Sequence, residues 1–206
     1  MKVMLVIPSS HYPAYPSPLS LSDFPTGFSY IAAALKKAGH EVVGVNPNNL
    51  PGFPSAKIML YTVLSQALAR HKPDLVGLGG LAPDYAFLSD AISMIRSIAA
   101  NARTDVANAK TTLKMNSTDT RKYPLEEQER NRLLQLIERL TPLMKDIPIV
   151  LGGKIVTNDA EDVYKLLQPD YAVVGEGEQA IVALARGLSF PKNNYLWEMD
   201  VPNLVY

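Results

Sequence analysis

Short apolar runs alternate with amphipathic stretches along most of the chain. The runs at residues 3–7, 42–45, 75–79, 149–151 and 171–174 have the length and continuity of strands buried on both faces of a sheet. The stretches between them are long enough to cross from one parallel strand to the next. The alternation therefore predicts an α/β fold with helices on both faces of a parallel sheet.

The intervening helices are predicted at residues 27–38, 57–71, 84–100 and 159–167, and from the turn at 175–178 through Leu188. Each carries apolar residues at helical spacing. Five strands joined in this way suit a flavodoxin-like, doubly wound, five-stranded parallel sheet of order 2-1-3-4-5, with a partly helical insertion. A sixth strand, as in the Rossmann order, is not expected.

Residues 102–146 form that insertion. The segment 104–120 is polar and weakly patterned, which predicts a mobile loop, and Pro124 suits the first position of a following helix. Pro142 should bend or end that helix. Two interpretations stay open: a surface insertion packed on the sheet edge, or a helix that binds a partner or a second copy of the chain.

Composition narrows the function classes. The chain has 206 residues, with 47% hydrophobic and 19% charged residues, which suits one folded domain. Twenty basic residues balance twenty acidic ones, so nothing predicts a nucleic-acid or membrane partner. The absence of cysteine excludes disulfides and an iron–sulfur cluster ligated by this chain. With no signal peptide or apolar run of about 18 residues, a cytoplasmic location is expected.

The ligand site of such a fold lies beyond the carboxyl ends of its strands. The segments expected there are the long Pro- and Ser-rich loop 8–26, the turn from Gly80, and the turns 152–154 and 175–178. Most of these turns are rich in glycine, which lets the backbone approach a large, mostly neutral ligand closely. The alternative is that the glycines only close strand–helix turns.

Other candidate motifs are weak. The string 77–82 matches G-x-G-x-x-A, but it follows the third strand and lacks the acidic residue of a dinucleotide site. His40 and His71 belong to the opposite edge of the sheet, whereas His11 lies in the loop expected near the ligand. Glu178 suits the positive start of its helix. No catalytic residue and no metal site is therefore predicted.

Several strings carry a family resemblance. They are PLSL at 18–21, PTGFSYIAAAL at 25–35, KAGHEV at 37–42, PDLVGLGG at 73–80, PIVLGG at 148–153 and DYAVVGEGE at 170–178. Together they resemble the N-terminal cobalamin-binding domain of cobalamin-dependent radical SAM enzymes. That family includes the magnesium-protoporphyrin monomethyl ester cyclase group and many methyltransferases. The resemblance covers about residues 1–100 and 147–190.

The resemblance implies a cobalamin-binding module formed by residues 1–190, with its corrinoid face on the turns named above and the nucleotide tail along the sheet. It also implies a linker at 191–206 toward a radical SAM domain in the same protein, which would carry the [4Fe–4S] cluster and S-adenosylmethionine. The module would not be catalytic alone. The residues expected to contact cobalamin are Ser9, Ser10, His11, Gly80, Leu81, Ala82, Gly152, Gly153, Lys154, Gly175, Glu176, Gly177 and Glu178.

The sequence departs from the family in two further ways. It lacks the D-x-H-x-x-G motif through which some corrinoid domains ligate cobalt, and the 102–146 insertion separates strands that the family joins more briefly. These departures support a rival hypothesis: a cofactor-free scaffold that docks a partner through the insertion and the tail with Tyr195 and Trp197. A homo-oligomer formed through 102–146 is a related expectation.

Overall fold

A computed structural model of the chain describes residues 1–9, 12–14, 25–48, 50, 52–118, 126–190 and 201–205. Its strands are β1 (Lys2–Val6), β2 (Glu41–Val45), β3 (Leu75–Gly79), β4 (Ile149–Gly152), β5 (Tyr171–Val173) and β6 (Leu204–Val205). Its helices are α1 (Thr26–Lys37), α2 (Ala56–His71), α3 (Tyr85–Thr118), α4 (Glu127–Leu140), α5 (Lys154–Asn158), α6 (Ala160–Leu167) and α7 (Glu178–Gly187).

The strands form one sheet of order β2-β1-β3-β4-β5-β6. The first five pair in parallel, in the predicted order 2-1-3-4-5. The prediction of only five strands is wrong, because β6 pairs antiparallel with β5 through Ala172 opposite Val205. Two residues are too few to show a strand pattern in the sequence. The linker role predicted for 191–206 stays a prediction, and residues 191–200 lie outside the described part.

The sheet separates two apolar cores. One face packs against α2, α3, α5 and α6, with Phe87 and Leu60 fully buried. The other packs against α1 and α7 through Leu35 and Leu184. Strand residues alternate between the two faces of the sheet. In β1, Met4 and Val6 belong to the first core, whereas Val3 and Leu5 belong to the second. Both faces being covered explains the continuous apolar runs of the sequence.

The segment 104–120, predicted as a mobile loop, is helical as far as Thr118. Residues 119–125 lie outside the described part of the chain. The prediction failed because it weighed polar composition over spacing. Ala102, Val106 and Ala109 are buried and follow helical intervals, and no Gly or Pro interrupts them. The helix predicted to follow the segment 104–120 is confirmed as α4. It ends at Leu140 and passes into a 3₁₀ turn that contains Pro142.

The α3–α4 hairpin lies at the amino-terminal edge of the sheet. Arg103 donates to the carbonyl oxygen of Met144 at 3.0 Å and pairs with Asp146 at 2.7 Å, just before β4. Lys145 pairs at 2.8 Å with Asp74, which precedes β3. With 34 residues α3 is about 50 Å long, whereas a five-residue strand spans about 16 Å. The outer half of the hairpin thus extends away from the carboxyl edge where the ligand is expected.

Candidate functional site

A cavity of about 640 Å³ opens at the carboxyl edge of the sheet, on the face covered by α1 and α7. We call it the central cavity. It lies beside β1 and β3, where the chain first reverses its direction across the sheet, as expected for a doubly wound fold. Its wall comes from the strands, from the starts of α1 and α7, and from the turns after β3, β4 and β5.

Glycines form the floor of the central cavity. Leu5, Gly77 and Val150 are neighbours in the parallel register and share one face of the sheet. Two residues further along, Gly79 pairs with Gly152 on that same face. A Cβ placed on Gly152 would meet no atom within 4 Å. The missing side chains in this row leave the depression that the cavity occupies.

Helix α1 closes the cavity from above. The Phe28 ring lies across from the floor, with its Cζ 3.8 Å from where a Gly79 Cβ would be. Ile31, one turn further along α1, approaches a would-be Cβ of Gly177 to 3.0 Å. Ile181 of α7 completes this apolar cover. A side chain at 177 would therefore crowd Ile31, and one at 79 would crowd the Gly152 carbonyl oxygen, 3.1 Å from the would-be Cβ.

The turns after β3 and β4 brace each other through two glycines. A Cβ on Gly153 would lie 2.7 Å from the Gly80 carbonyl oxygen, and Gly153 has a φ of 91°. The Ile155 N–H donates to that carbonyl at 3.1 Å. The Leu81 N–H donates to the Asp84 carboxylate at 2.8 Å. Both turns are thereby fixed before any ligand binds.

The turn after β5 carries the charged rim. Gly175 has a φ of 76°, and its N–H donates to the Thr157 hydroxyl at 3.0 Å. This bond ties the turn to α5. Glu176 and Glu178 line the mouth here, and Lys154 lines it from the start of α5. The mouth is polar, whereas the floor and cover are apolar.

The structure brings most of the predicted ligand residues together at this cavity. Those that line it are Gly80, Leu81, Gly152, Gly153, Lys154, Gly175, Glu176, Gly177 and Glu178. Ala82 is not among the lining residues and instead borders a smaller groove between α3 and α6. Ser9 is buried after β1, and its hydroxyl has no hydrogen-bond partner among the residues that the structure describes. Ser10 and His11 lie outside the described residues.

Tyr12, in the loop after β1, is held on the opposite face of the sheet, whereas Pro8 and Pro25 near the two ends of that loop line the central cavity. The Tyr12 hydroxyl donates to the Asp90 carboxylate, and Lys57 pairs with Asp90 at 3.0 Å. The Tyr12 ring meets Phe87 edge to face, with centroids 5.5 Å apart. Burial, followed by the bond to Asp90, raises the pKa of the Tyr12 hydroxyl. Tyr12 therefore stays protonated and serves as an anchor for the loop.

The sequence predicted that His40 and His71 lie at the edge away from the ligand site. Neither of them lines the central cavity. His40 follows α1 at the amino edge, where its Nδ1 is 3.4 Å from the Met1 amino group. His71 ends α2 on the same side. Over the described residues, no cluster of three or more His, Asp or Glu is arranged to hold a metal. Nor does any described helix have the length and apolar character to cross a membrane.

Sequence reasoning missed the apolar cover and part of the floor. Helical spacing predicts that Phe28 and Ile31 are buried but not that they cover a cavity, and Gly77 with Gly79 belongs only to the weak dinucleotide match at 77–82. The available signal was the spacing of two glycines two residues apart in a strand, which places both on one face. Ile181 gave no signal, because a buried α7 residue looks the same over a core as over a cavity.

Comparison with known proteins gives the fold a precedent. Two solved structures of a radical S-adenosylmethionine methyltransferase, TsrM, from Kitasatospora setae are similar to this chain. One contains tryptophan and a SAM analogue, with a TM-score of 0.55. The other contains cobalamin and a [4Fe–4S] cluster, with a TM-score of 0.54. Both are 18% identical to this chain and match 98% of it, a likeness that shows the fold alone.

The chain spans 28% and 26% of the length of these two neighbours. No protein-family model matches the sequence. No curated protein is similar to it at the level of sequence.

Proposed function

We propose that this chain is the cobalamin-binding module of a radical SAM enzyme and is not catalytic by itself. The observation that carries the proposal is the glycine-floored central cavity, at the carboxyl edge of a fold shared with a cobalamin-containing methyltransferase. The family resemblance of the strings at 148–153 and 170–178 supports the same function.

The residues at the cavity fit a corrinoid. A macrocycle rimmed with amides suits the glycine-rich turns at 80–81, 152–154 and 175–178, where little side-chain bulk keeps a ligand from the backbone. The nucleotide tail suits the apolar space between the sheet and α1. Lys154 offers a cation at the mouth for the phosphodiester of that tail. When bound, the corrinoid supplies a cobalt that carries a methyl group or assists radical chemistry.

The cobalt chemistry requires a partner domain, because this sequence has no cysteine to ligate an iron–sulfur cluster. We infer a radical SAM domain in the same protein as that partner. Support comes from the neighbours, in which the matching part is about a quarter of a longer chain. The choice between methyl transfer and cyclisation belongs to that domain.

A titration of the purified chain with hydroxocobalamin, followed by visible absorption and by calorimetry, tests the proposal. We expect saturable binding of one corrinoid with a Kd of roughly micromolar or tighter, equivalent to about −8 kcal/mol. A folded chain that shows no saturable signal would remove the proposed function.

The incomplete burial of the apolar residues of α4 favours a second candidate, the partner-docking scaffold. Leu133, Leu136, Ile137 and Leu140 are only half-buried against α3, and Leu134 is exposed. Docking or oligomerisation through this helix would be independent of cobalamin. Removal of the hairpin, described in the Discussion, distinguishes the two functions.

A further inference from the structure

The inner part of the central cavity is lined by apolar side chains from both of its walls. Alternate strand residues supply one wall, and the first turns of α1 together with α7 supply the other. These residues are Leu5, Val150 and Val173 from the sheet, and Phe28, Ile31 and Ile181 from the helices.

Among the described residues that line the cavity, the charged side chains are confined to the mouth, and Thr26 at the start of α1 adds a hydroxyl. Asp84, Lys154, Glu176 and Glu178 all belong to turns or helix starts beyond the strand ends. Deeper inside, the backbone N–H and C=O groups of β3 offer few hydrogen bonds to a ligand. They are already paired with β1 on one side and with β4 on the other. A heterocycle placed between sheet and α1 would find few hydrogen-bond partners.

This inference rests on the proposed function and concerns which corrinoid the site prefers. A purine base carries an exocyclic amine and several ring nitrogens, which lose their water in an apolar groove and gain no partner. A dimethylbenzimidazole carries two methyl groups and one free ring nitrogen when it does not ligate cobalt. We propose that the apolar walls of the central cavity select corrinoids with a benzimidazole-type lower base over those with a purine-type base.

Three corrinoids that share one macrocycle test the selection by calorimetric titration of the chain. They are cobalamin, its adenine-containing analogue, and cobinamide, which has no nucleotide tail. We expect cobalamin to bind at least about tenfold more tightly than either of the others. One polar group left buried without a hydrogen-bond partner suffices for such a ratio.

A matched pair of α1 variants assigns the selection to the groove. Ile31 lines the cavity, whereas its neighbour Tyr30 is 65% exposed and does not. Ile31→Gln should bring the cobalamin-to-adenine affinity ratio down to about threefold or less, since the amide offers the purine a partner. Tyr30→Gln should leave the ratio unchanged. Unfolding midpoints of both variants confirm that they remain folded.

The outcomes separate this inference from the proposed function. Equal affinity for cobalamin and cobinamide would show that the groove does not hold the base, which overturns the selection and leaves corrinoid binding intact. Equal affinity for the two complete corrinoids, both tighter than cobinamide, would also overturn the selection. Failure of all three to bind would overturn the proposed function together with the inference.

Discussion

Gly152 and Gly153 are adjacent glycines with different structural roles. Gly153 needs to be glycine for the fold, because it has a positive φ and touches the Gly80 backbone. Gly152 has open space where its Cβ would be and lines the central cavity. A side chain at 152 therefore blocks the cavity without straining the turn, which makes it the informative position for binding.

We predict that Gly152→Leu weakens corrinoid binding by at least about tenfold, because the leucine fills the space over β4. Gly44→Leu is the matched control. Gly44 also lies in a strand, its Cβ would meet nothing within 4 Å, and it does not line the cavity. Calorimetric titration measures both variants. Equal affinities for the two would place the ligand elsewhere.

His40 predicts a loss of stability in mild acid. Burial, then the Met1 amino group, then Arg186, lower the pKa of His40 below its usual 6.5. The unfolded chain consequently binds a proton here more readily than the folded chain, so stability falls as the pH drops below about 6.5 toward the folded pKa.

Urea unfolding between about pH 7.5 and pH 5 measures this effect. His40→Gln, which cannot take up the proton, should show a smaller loss of unfolding free energy over that interval than the wild-type chain. His71→Gln, at the end of α2, controls for the loss of a histidine in general. An identical pH dependence in the wild type and His40→Gln would contradict the assigned cause.

At the scale of elements, the sequence predicted most of the sheet because each strand is buried on both faces and bounded by Pro, Gly or polar residues. Strand β3, predicted at 75–79, is Leu75–Gly79 in the structure. The prediction failed where the controlling contact is tertiary. The outer half of α3 is stabilised by its packing against α4, which its polar composition did not indicate, and β6 exists only because residues 204–205 lie beside β5.

The outer part of the α3–α4 hairpin, residues 105–141, should be dispensable for corrinoid binding, because it lies toward the edge opposite the central cavity. Replacing residues 105–141 with a short Gly/Ser linker keeps Arg103 and its partner Met144 and removes the outer hairpin. We expect corrinoid affinity within about twofold of wild type, a difference below about 0.5 kcal/mol. A large loss of affinity in a folded variant would show that the hairpin shapes the site.

Gel filtration of the same deletion variant tests the oligomer and docking predictions. A wild-type dimer that becomes a monomer on deletion would support association through α4. If both proteins elute as monomers and corrinoid binding is retained, the scaffold alternative is contradicted and the module function is supported.

At the scale of the whole molecule, topology and site are linked. The central cavity lies where β1 and β3 send the chain to opposite sides of the sheet, so the fold itself predicted the edge at which the cavity is found. The sequence also indicated the glycine turns around that edge. The depth of the central cavity could not be predicted from the sequence, because it depends on the distance between α1 and the glycines of the floor.

Amide hydrogen exchange with and without hydroxocobalamin locates the bound ligand along the whole chain and therefore tests for a corrinoid at the central cavity. We predict slower exchange on binding at 79–81, 152–154 and 175–178 and at the start of α1, with no change in α4. No protection, or protection confined to α4 and the outer part of α3, would contradict a corrinoid site at the carboxyl edge of the sheet.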